Sequence, residues 1–258
     1  MNINPLISIV TATYQAGPLI EKTIKSVEGQ TYKNIEYIII DGGSNDEIFE
    51  IVDKYKDVVS YFKSEPDSGI YNAWNKGINR ANGEWVCFLG AGDEYYHDGV
   101  ENYVNYINKN SDKNLEFLSS IVDVVDDDGN ILFQKGSEWE WPKFSDFMNI
   151  AHVGSLHSKR LFEKYGIFDE KYKIVGDYEL LLRPKNKLNA GFVNLHTVKM
   201  LQGGVSTSLK SLVEERNFKI DKVGMSKTKA FYQYFSAYIK GKLRLKLNKV
   251  GVYPKIRQ

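Results

Sequence analysis

Residues 7–46 read ISIVTATYQAGPLIEKTIKSVEGQTYKNIEYIIIDGGSND. Leu6 to Thr11 is a short apolar, β-branched run. Leu19, Ile20, Ile24 and Val27 then recur at helical spacing, and the apolar run Glu36 to Ile40 stops at Asp41-Gly42-Gly43-Ser44-Asn45-Asp46. The order is strand, loop, helix, strand. The pattern repeats downstream: Ile48, Ile51 and Val52 lie on a helical face, Val58 to Lys63 predicts a third strand, and Ile70 to Ala81 a helix. Trp85 to Leu89 predicts a fourth strand ending in Gly90-Ala91-Gly92-Asp93. Nearly unbroken apolar strands alternating with amphipathic helices indicate an α/β fold whose mostly parallel sheet is covered on both faces. Residues 1–100 thus read as a nucleotide-binding-type half, with polar loops at 11–17, 41–46 and 90–94 at the carboxyl ends of strands, where ligands bind in such sheets.

The chain has 258 residues, 42% of them hydrophobic and 26% charged, which argues against disorder and fibrous repeats. Cys87 is the only cysteine, so no disulfide framework exists, and its place in an apolar run predicts a buried thiol in a reducing compartment. The amino terminus carries no basic residue before its apolar stretch, and no window of about 18 apolar residues occurs, so neither a signal peptide nor a membrane span is expected.

The second half is less regular. Leu115 to Val125 predicts a strand, Asp126-Asp127-Asp128-Gly129-Asn130 a hairpin turn, and Ile131 to Gln134 the return strand. The three aspartates read as a solvated turn rather than a metal site. A helix is expected within 159–170, ending at Gly166, and another over Tyr178 to Arg183 before Pro184.

Several polar residues carry candidate chemistry. Asp41, directly after its strand, could accept the imide N–H of a pyrimidine, or serve as a turn or cap residue; Thr11, Thr13 and Tyr14 flank the same crevice. Neither GxGxxG nor GxxxxGK[ST] is present, which argues against a dinucleotide fold or a P-loop ATPase. Asp93 and Glu94 end the fourth strand, and such carboxylates opposite a diphosphate can hold a hard divalent cation. His152 and His157 stand five apart, which excludes a zinc pair on one helical face. Asp177 precedes an apolar helical stretch; it is either a helix cap or, facing the crevice, a general base.

Taken with SEPDSGIYNAWNKGINRANGEWVCFLGAGDEYY (64–96), FDEKYKIVGDYELLLR (168–183) and QGGVS (202–206), the opening stretch resembles the family 2 glycosyltransferases, in particular bacterial enzymes of surface polysaccharide and O-antigen assembly. The resemblance runs from about Ile7 to Ser206 and implies a GT-A fold, a UDP-sugar donor and inversion at the anomeric carbon. It implies a Rossmann-like nucleotide-sugar half (1–100) and an acceptor half (101–221), with a basic tail (222–258) beyond. By motif position, Thr11, Thr13, Tyr14, Asp41, Asp67, Asn75, Lys76, Arg80, Ala91 and Gly92 resemble the donor side and His157 the acceptor side. Asp177 resembles the catalytic base, and Asp93 with Glu94 the site of Mn²⁺ or Mg²⁺. Many relatives carry an aspartate-rich DxDD where this chain has Gly90-Ala91-Gly92-Asp93, so only one matching carboxylate remains. The resemblance further implies a hexose as the transferred sugar and a polyprenyl-diphosphate-linked saccharide as acceptor. The rivals are a UDP-binding module without turnover and a nucleotidyltransferase, the latter disfavoured by the lack of a Gly-rich loop followed by Arg and Lys.

Charge is uneven. From Lys222 onward ten basic residues face no acidic one, while the upstream chain carries 24 basic against 33 acidic. Phe231, Tyr234, Phe235 and Tyr238 sit at helical spacing, whereas Leu243, Leu245 and Leu247 alternate with Lys242, Arg244 and Lys246 as in a strand. A basic, aromatic, largely helical tail suits the anionic inner face of the cell membrane better than nucleic acid. The expectation is a cytoplasmic chain peripheral on that membrane; whether two copies form a homodimer is open.

Overall fold

The computed structural model describes residues 3–203 and 209–249. The elements run β1 (Ile7–Thr13), α1 (Gly17–Glu28), β2 (Ile35–Asp41), α2 (Ile48–Lys54), β3 (Tyr61–Ser64), α3 (Ile70–Arg80), β4 (Trp85–Phe88), β5 (Glu94–Tyr95), α4 (Gly99–Lys109), β6 (Phe117–Val125), β7 (Ile131–Lys135), α5 (Trp141–Asp146), β8 (Leu156–Ser158), α6 (Lys159–Tyr165), α7 (Gly176–Leu182), β9 (Ala190–Leu201), α8 (Leu209–Asp221) and α9 (Lys227–Lys249). The strands form one sheet in the order β3-β2-β1-β4-β8-β6-β9-β5, with β7 paired to β6. The first four are parallel to one another, β6 and β9 are parallel, and β8, β7 and β5 run antiparallel to their neighbours.

Alternation along β1, β2 and β4 divides the core in two. Ile9, Ile39 and Cys87 face a layer with Ile20 and Ile24 of α1, while Val10, Ile38 and Phe88 face Tyr71 and Phe168 on the other side. Cys87 is fully buried, Tyr95 donates to its Sγ at 3.1 Å, and burial pushes the thiol up to about 12. Gly77 lets α3 lie directly on β1, since a Cβ there would stand 2.3 Å from Val10 Cγ1.

The third strand begins at Tyr61 rather than Val58. Residues 55–60 are drawn into a turn that ends with Ser60 donating its backbone N–H to the Tyr37 carbonyl at 2.8 Å. The aspartate-rich turn holds itself: Asp126 Oδ1 accepts from the amides of Asp128 (3.1 Å) and Asn130 (2.8 Å). The strand-like alternation expected at 242–247 lies within helix α9. Its packed face, including Ala230, lies against α8, where Lys219 donates to Gln233 at 3.0 Å. The side chains of 244–249 and the end of the basic tail lie outside the described residues, as do residues 204–208, which include the last three of the QGGVS segment.

Candidate active site

The pairing Thr13↔Asp41↔Ser64 brings the carboxyl ends of β1, β2 and β3 level, and Val10↔Phe88 places β4 beside them. The loops 14–16, 42–47, 65–69 and 89–93 therefore share one sheet edge, where a polar crevice is expected. Tyr14 stands out from it, 66% exposed. Its ring and the carboxylate of Asp67 converge on Gly42, for a Cβ on Gly42 would lie 3.2 Å from Tyr14 Cδ2 and 2.8 Å from Asp67 Oδ2. Asp67 Oδ1 accepts from Gly69 N at 2.8 Å just before α3 begins. Lys76 pairs with Glu65 at 2.9 Å and donates to the Pro66 carbonyl, which steadies the loop bearing Asp67.

Asp41 is fully buried. Its Oδ2 accepts from Gly43 N, Ser44 N (2.8 Å) and Ser64 Oγ (2.6 Å), and its Oδ1 from Ser44 Oγ (2.6 Å). Ser44 Oγ in turn receives Gln15 N at 2.7 Å, with Gln15 in the left-handed region at φ 51. The carboxylate thus ties three loops together and has no oxygen turned toward a base, so the expected imide contact gives way to a positioning role. Thr11 is likewise buried, in hydrogen-bonding contact with Tyr37 at 3.1 Å, beneath the crevice. Thr13 ends β1 with a buried hydroxyl that has no partner.

Two donor-side expectations fail on direction. Helix α3 runs back across the sheet, so Arg80 ends about 15 Å from the crevice by helical rise. There it lies over the ring of Tyr61, the first residue of β3, at 4.7 Å. Asn75 is buried and staples α3 to the 168–170 segment, donating to Phe168 O (3.0 Å) and Glu170 Oε1 (2.9 Å) and accepting from Phe168 N (3.0 Å).

The acidic loop does not fit a cation. Asp93 Oδ1 accepts Leu201 N at 2.9 Å and Oδ2 accepts Gly90 N at 3.1 Å, so the carboxylate cross-links the loop to β9. Burial pushes it up to about 7. Gly92 is buried at φ 94, its N–H donating to Thr23 Oγ1 at 2.9 Å, and a Cβ there would meet Leu201 at 2.9 Å. Ala91 packs against the α1-side core. Glu94 lies in β5 opposite Lys199. Among the described residues no three His, Cys, Asp or Glu side chains group as a metal would require. The loop is a hydrogen-bonded clasp between α1 and β9.

The other wall is built from α7. Asp177 lies inside the first turn of the helix, past Val175 at the cap position. Its Oδ1 accepts from Tyr178 N at 2.9 Å and contacts the Tyr71 hydroxyl at 3.1 Å. That hydroxyl donates to the Ile174 carbonyl at 2.6 Å. Oδ2 faces His152, with Nδ1 4.0 Å away. Burial pushes Asp177 up to about 6, partly opposed by the Tyr178 amide and Tyr71. His157, the expected acceptor-side residue, is instead walled in by Phe88, Phe117 and Phe162, with no exposed surface. His152, also largely buried, is the histidine that lies beside Asp177.

Sequence reasoning also passed over Tyr71 and Lys173. Lys173 Nζ donates to the carbonyls of Ser68 (2.9 Å) and Glu170 (3.0 Å), setting an ammonium beside Gly69. Its only linear signal is a basic residue four positions before the aspartate of α7.

The architecture is that of solved GT-A proteins. The chain is similar to Staphylococcus aureus TarS 1–349 in complex with UDP-GlcNAc, with TM-score 0.65 and 14% identity over 91% of this chain and 72% of that one. It is also similar to a Pyrobaculum calidifontis mannosyltransferase in complex with GDP-Man and Mn²⁺, with TM-score 0.60 and 15% identity over 93% and 75%. The fold is therefore GT-A. Residues 8–152 match the family model described as Glycosyl transferase family 2, and the chain belongs to that family. It is 31% identical over 187 residues to an uncharacterised glycosyltransferase of Rickettsia typhi, covering 69% of this chain but 58% of that protein's length. It is 26% identical over 183 residues to a PGL/p-HBAD biosynthesis glycosyltransferase of Mycobacterium tuberculosis, covering 69% of each.

Proposed function

We propose that this chain transfers a hexose from a UDP-linked donor to a hydroxyl of a lipid-linked saccharide, with inversion at the anomeric carbon. The observation that carries the reading is Asp177. It is a half-buried carboxylate held by α7, with Oδ1 anchored by Tyr71 and Tyr178 N and Oδ2 without a hydrogen bond. In the reaction, the acceptor oxygen forms a bond to C1 as the C1–phosphate oxygen bond breaks. The hydroxyl proton goes to Asp177 and the electron pair leaves with UDP. Tyr14, Gly42 and Asp67 offer an open aromatic and polar recess for the uridine, while Thr13, Asp41 and Lys76 shape its loops. Lys173 supplies positive charge near the diphosphate. UDP release from UDP-galactose, UDP-glucose and their N-acetyl forms, with a synthetic diphosphate-lipid acceptor and with Mn²⁺ or EDTA, tests the reading. Turnover with one donor supports it; UDP binding without turnover favours the silent binding module.

The acceptor class rests on the tail. No described helix is long and apolar enough to cross a membrane. Yet α9 exposes Phe231, Tyr232, Phe235, Ile239 and Leu243. At about 100° per residue these fill one stripe, bordered by Lys229 and Lys240 on one side and Lys227 on the other, with Lys242 set within it. An apolar stripe bordered by lysines suits a helix lying in the plane of an anionic membrane surface. The same chemistry fits surface polysaccharide and O-antigen assembly on the inner face of the membrane. Phe235→Ser with Ile239→Ser is expected to weaken sedimentation with phosphatidylglycerol vesicles at least about tenfold, the loss of apolar burial exceeding 1.4 kcal/mol. Unchanged sedimentation would remove the membrane role of this face.

A further inference from the structure

We infer that His152 and Asp177 grip the reacting hydroxyl between them, the carboxylate Oδ2 receiving its proton while His152 Nδ1–H donates to its oxygen. The inference rests on the transferase reading above. The 4.0 Å between Nδ1 and Oδ2 is too long for a direct hydrogen bond. It suits a single oxygen set about 2.7 Å from Oδ2 and about 2.9 Å from Nδ1, which meets the two at roughly a right angle. The carboxylate side chain keeps 19% of its surface exposed, so the gap is reachable from the crevice.

The imidazole is held on one side by two rings that also touch each other, Phe88 and Trp74 standing 4.7 Å apart. Phe88 stacks on it at 5.6 Å and 13°, and Trp74 lies at 5.3 Å and 32°, which fixes the ring plane. Its other nitrogen, Nε2, is buried without a partner. Burial pushes the ring down to about 3, so it is neutral and carries one proton. A lone pair turned toward an ionised carboxylate would be repelled, which favours the proton on Nδ1. An incoming hydroxyl then finds an acceptor and a donor at fixed separation, and lodging there points its remaining lone pair toward the donor C1. His152 would thus touch the nucleophile itself, and the pair would select an alcohol over a group that cannot both donate and accept.

Two measurements on the full chain test this. In ¹⁵N-edited imidazole NMR at about pH 7, with His152→Phe assigning its ring among the four histidines, the proton is expected on Nδ1; a proton on Nε2 overturns the inference. In kinetics with the UDP-sugar that turns over and the diphosphate-lipid acceptor, His152→Phe is expected to lose roughly 100-fold in kcat/KM for acceptor. UDP affinity by equilibrium dialysis should stay within about twofold. His152→Asn, which places an amide N–H near the Nδ1 position, should recover to within about tenfold of wild type. Loss of less than about threefold in His152→Phe, or no recovery in His152→Asn when UDP affinity is intact, overturns the grip. Absence of turnover with any donor in the wild-type chain would instead defeat the transferase reading, and the NMR result alone would then decide the tautomer.

Discussion

Asp177→Asn is expected to cut transfer by about 10²–10⁴-fold, the range a positioned general base supplies, while making the fold more stable. The two effects share one cause. The folded chain holds the Asp177 proton up to about pH 6, against an ordinary value of 3.8, because burial disfavours the charged form. Between those values the native state binds more protons than the unfolded chain, so stability falls as pH rises through that window, by about 3 kcal/mol in all. Asparagine keeps the Oδ1 contact to Tyr178 N without the charge, and the variant should gain up to about that amount at pH 8 and nothing below about pH 3.8. Tyr71, His152 and the more distant Glu214 are the groups facing the carboxylate, and none of them supplies a compensating positive charge. The wild-type rate should accordingly drop tenfold per pH unit below about 6. UDP-release assays across pH, paired with denaturant midpoints for both proteins, check this. A variant with near-normal rate removes Asp177 as the base.

Asp41→Ala is expected to lose about 3–5 kcal/mol of stability, since each buried group left unsatisfied costs about 1–3 kcal/mol. Two amides and two hydroxyls depend on this carboxylate. Donor affinity should fall with it because Gln15, Ser44 and Ser64 lose their common anchor. Asp41→Asn, which retains one acceptor oxygen, should recover part of the stability. Urea melts together with UDP binding decide the matter. If Asp41→Ala weakens UDP binding but leaves the melt untouched, the residue meets the nucleotide directly and the positioning role is wrong.

The parallel half of the sheet was readable because strands buried on both faces keep an apolar run with few interruptions, as in Tyr37-Ile38-Ile39-Ile40, and the helices between them show one apolar side. Strand β9 was not readable. Its register with β6 slips near Ser120 and Ile121, and exposed Leu195 breaks any alternation. The loops showed where polar residues gather but not which way they face. Asn75 and Arg80 lie in the same motif-bearing segment as Asp67, yet the reversal of α3 carries one into the core and the other to the far edge. His152 and His157 were distinguishable only by packing, because one lies within the irregular stretch between α5 and β8 and the other sits within β8. Likewise no linear pattern tells whether a carboxylate such as Asp93 turns outward to a ligand or inward to backbone amides.

The solitary thiol in β4 has a practical consequence. With no accessible surface and little thiolate at neutral pH, Cys87 is silent to maleimide on the folded chain, so a cysteine introduced in place of Tyr14 would carry a fluorophore at a single address beside the recess and report nucleotide arrival against a dark background. In the unaltered chain, the rate at which Cys87 becomes alkylated would serve as a clock for opening of the sheet itself.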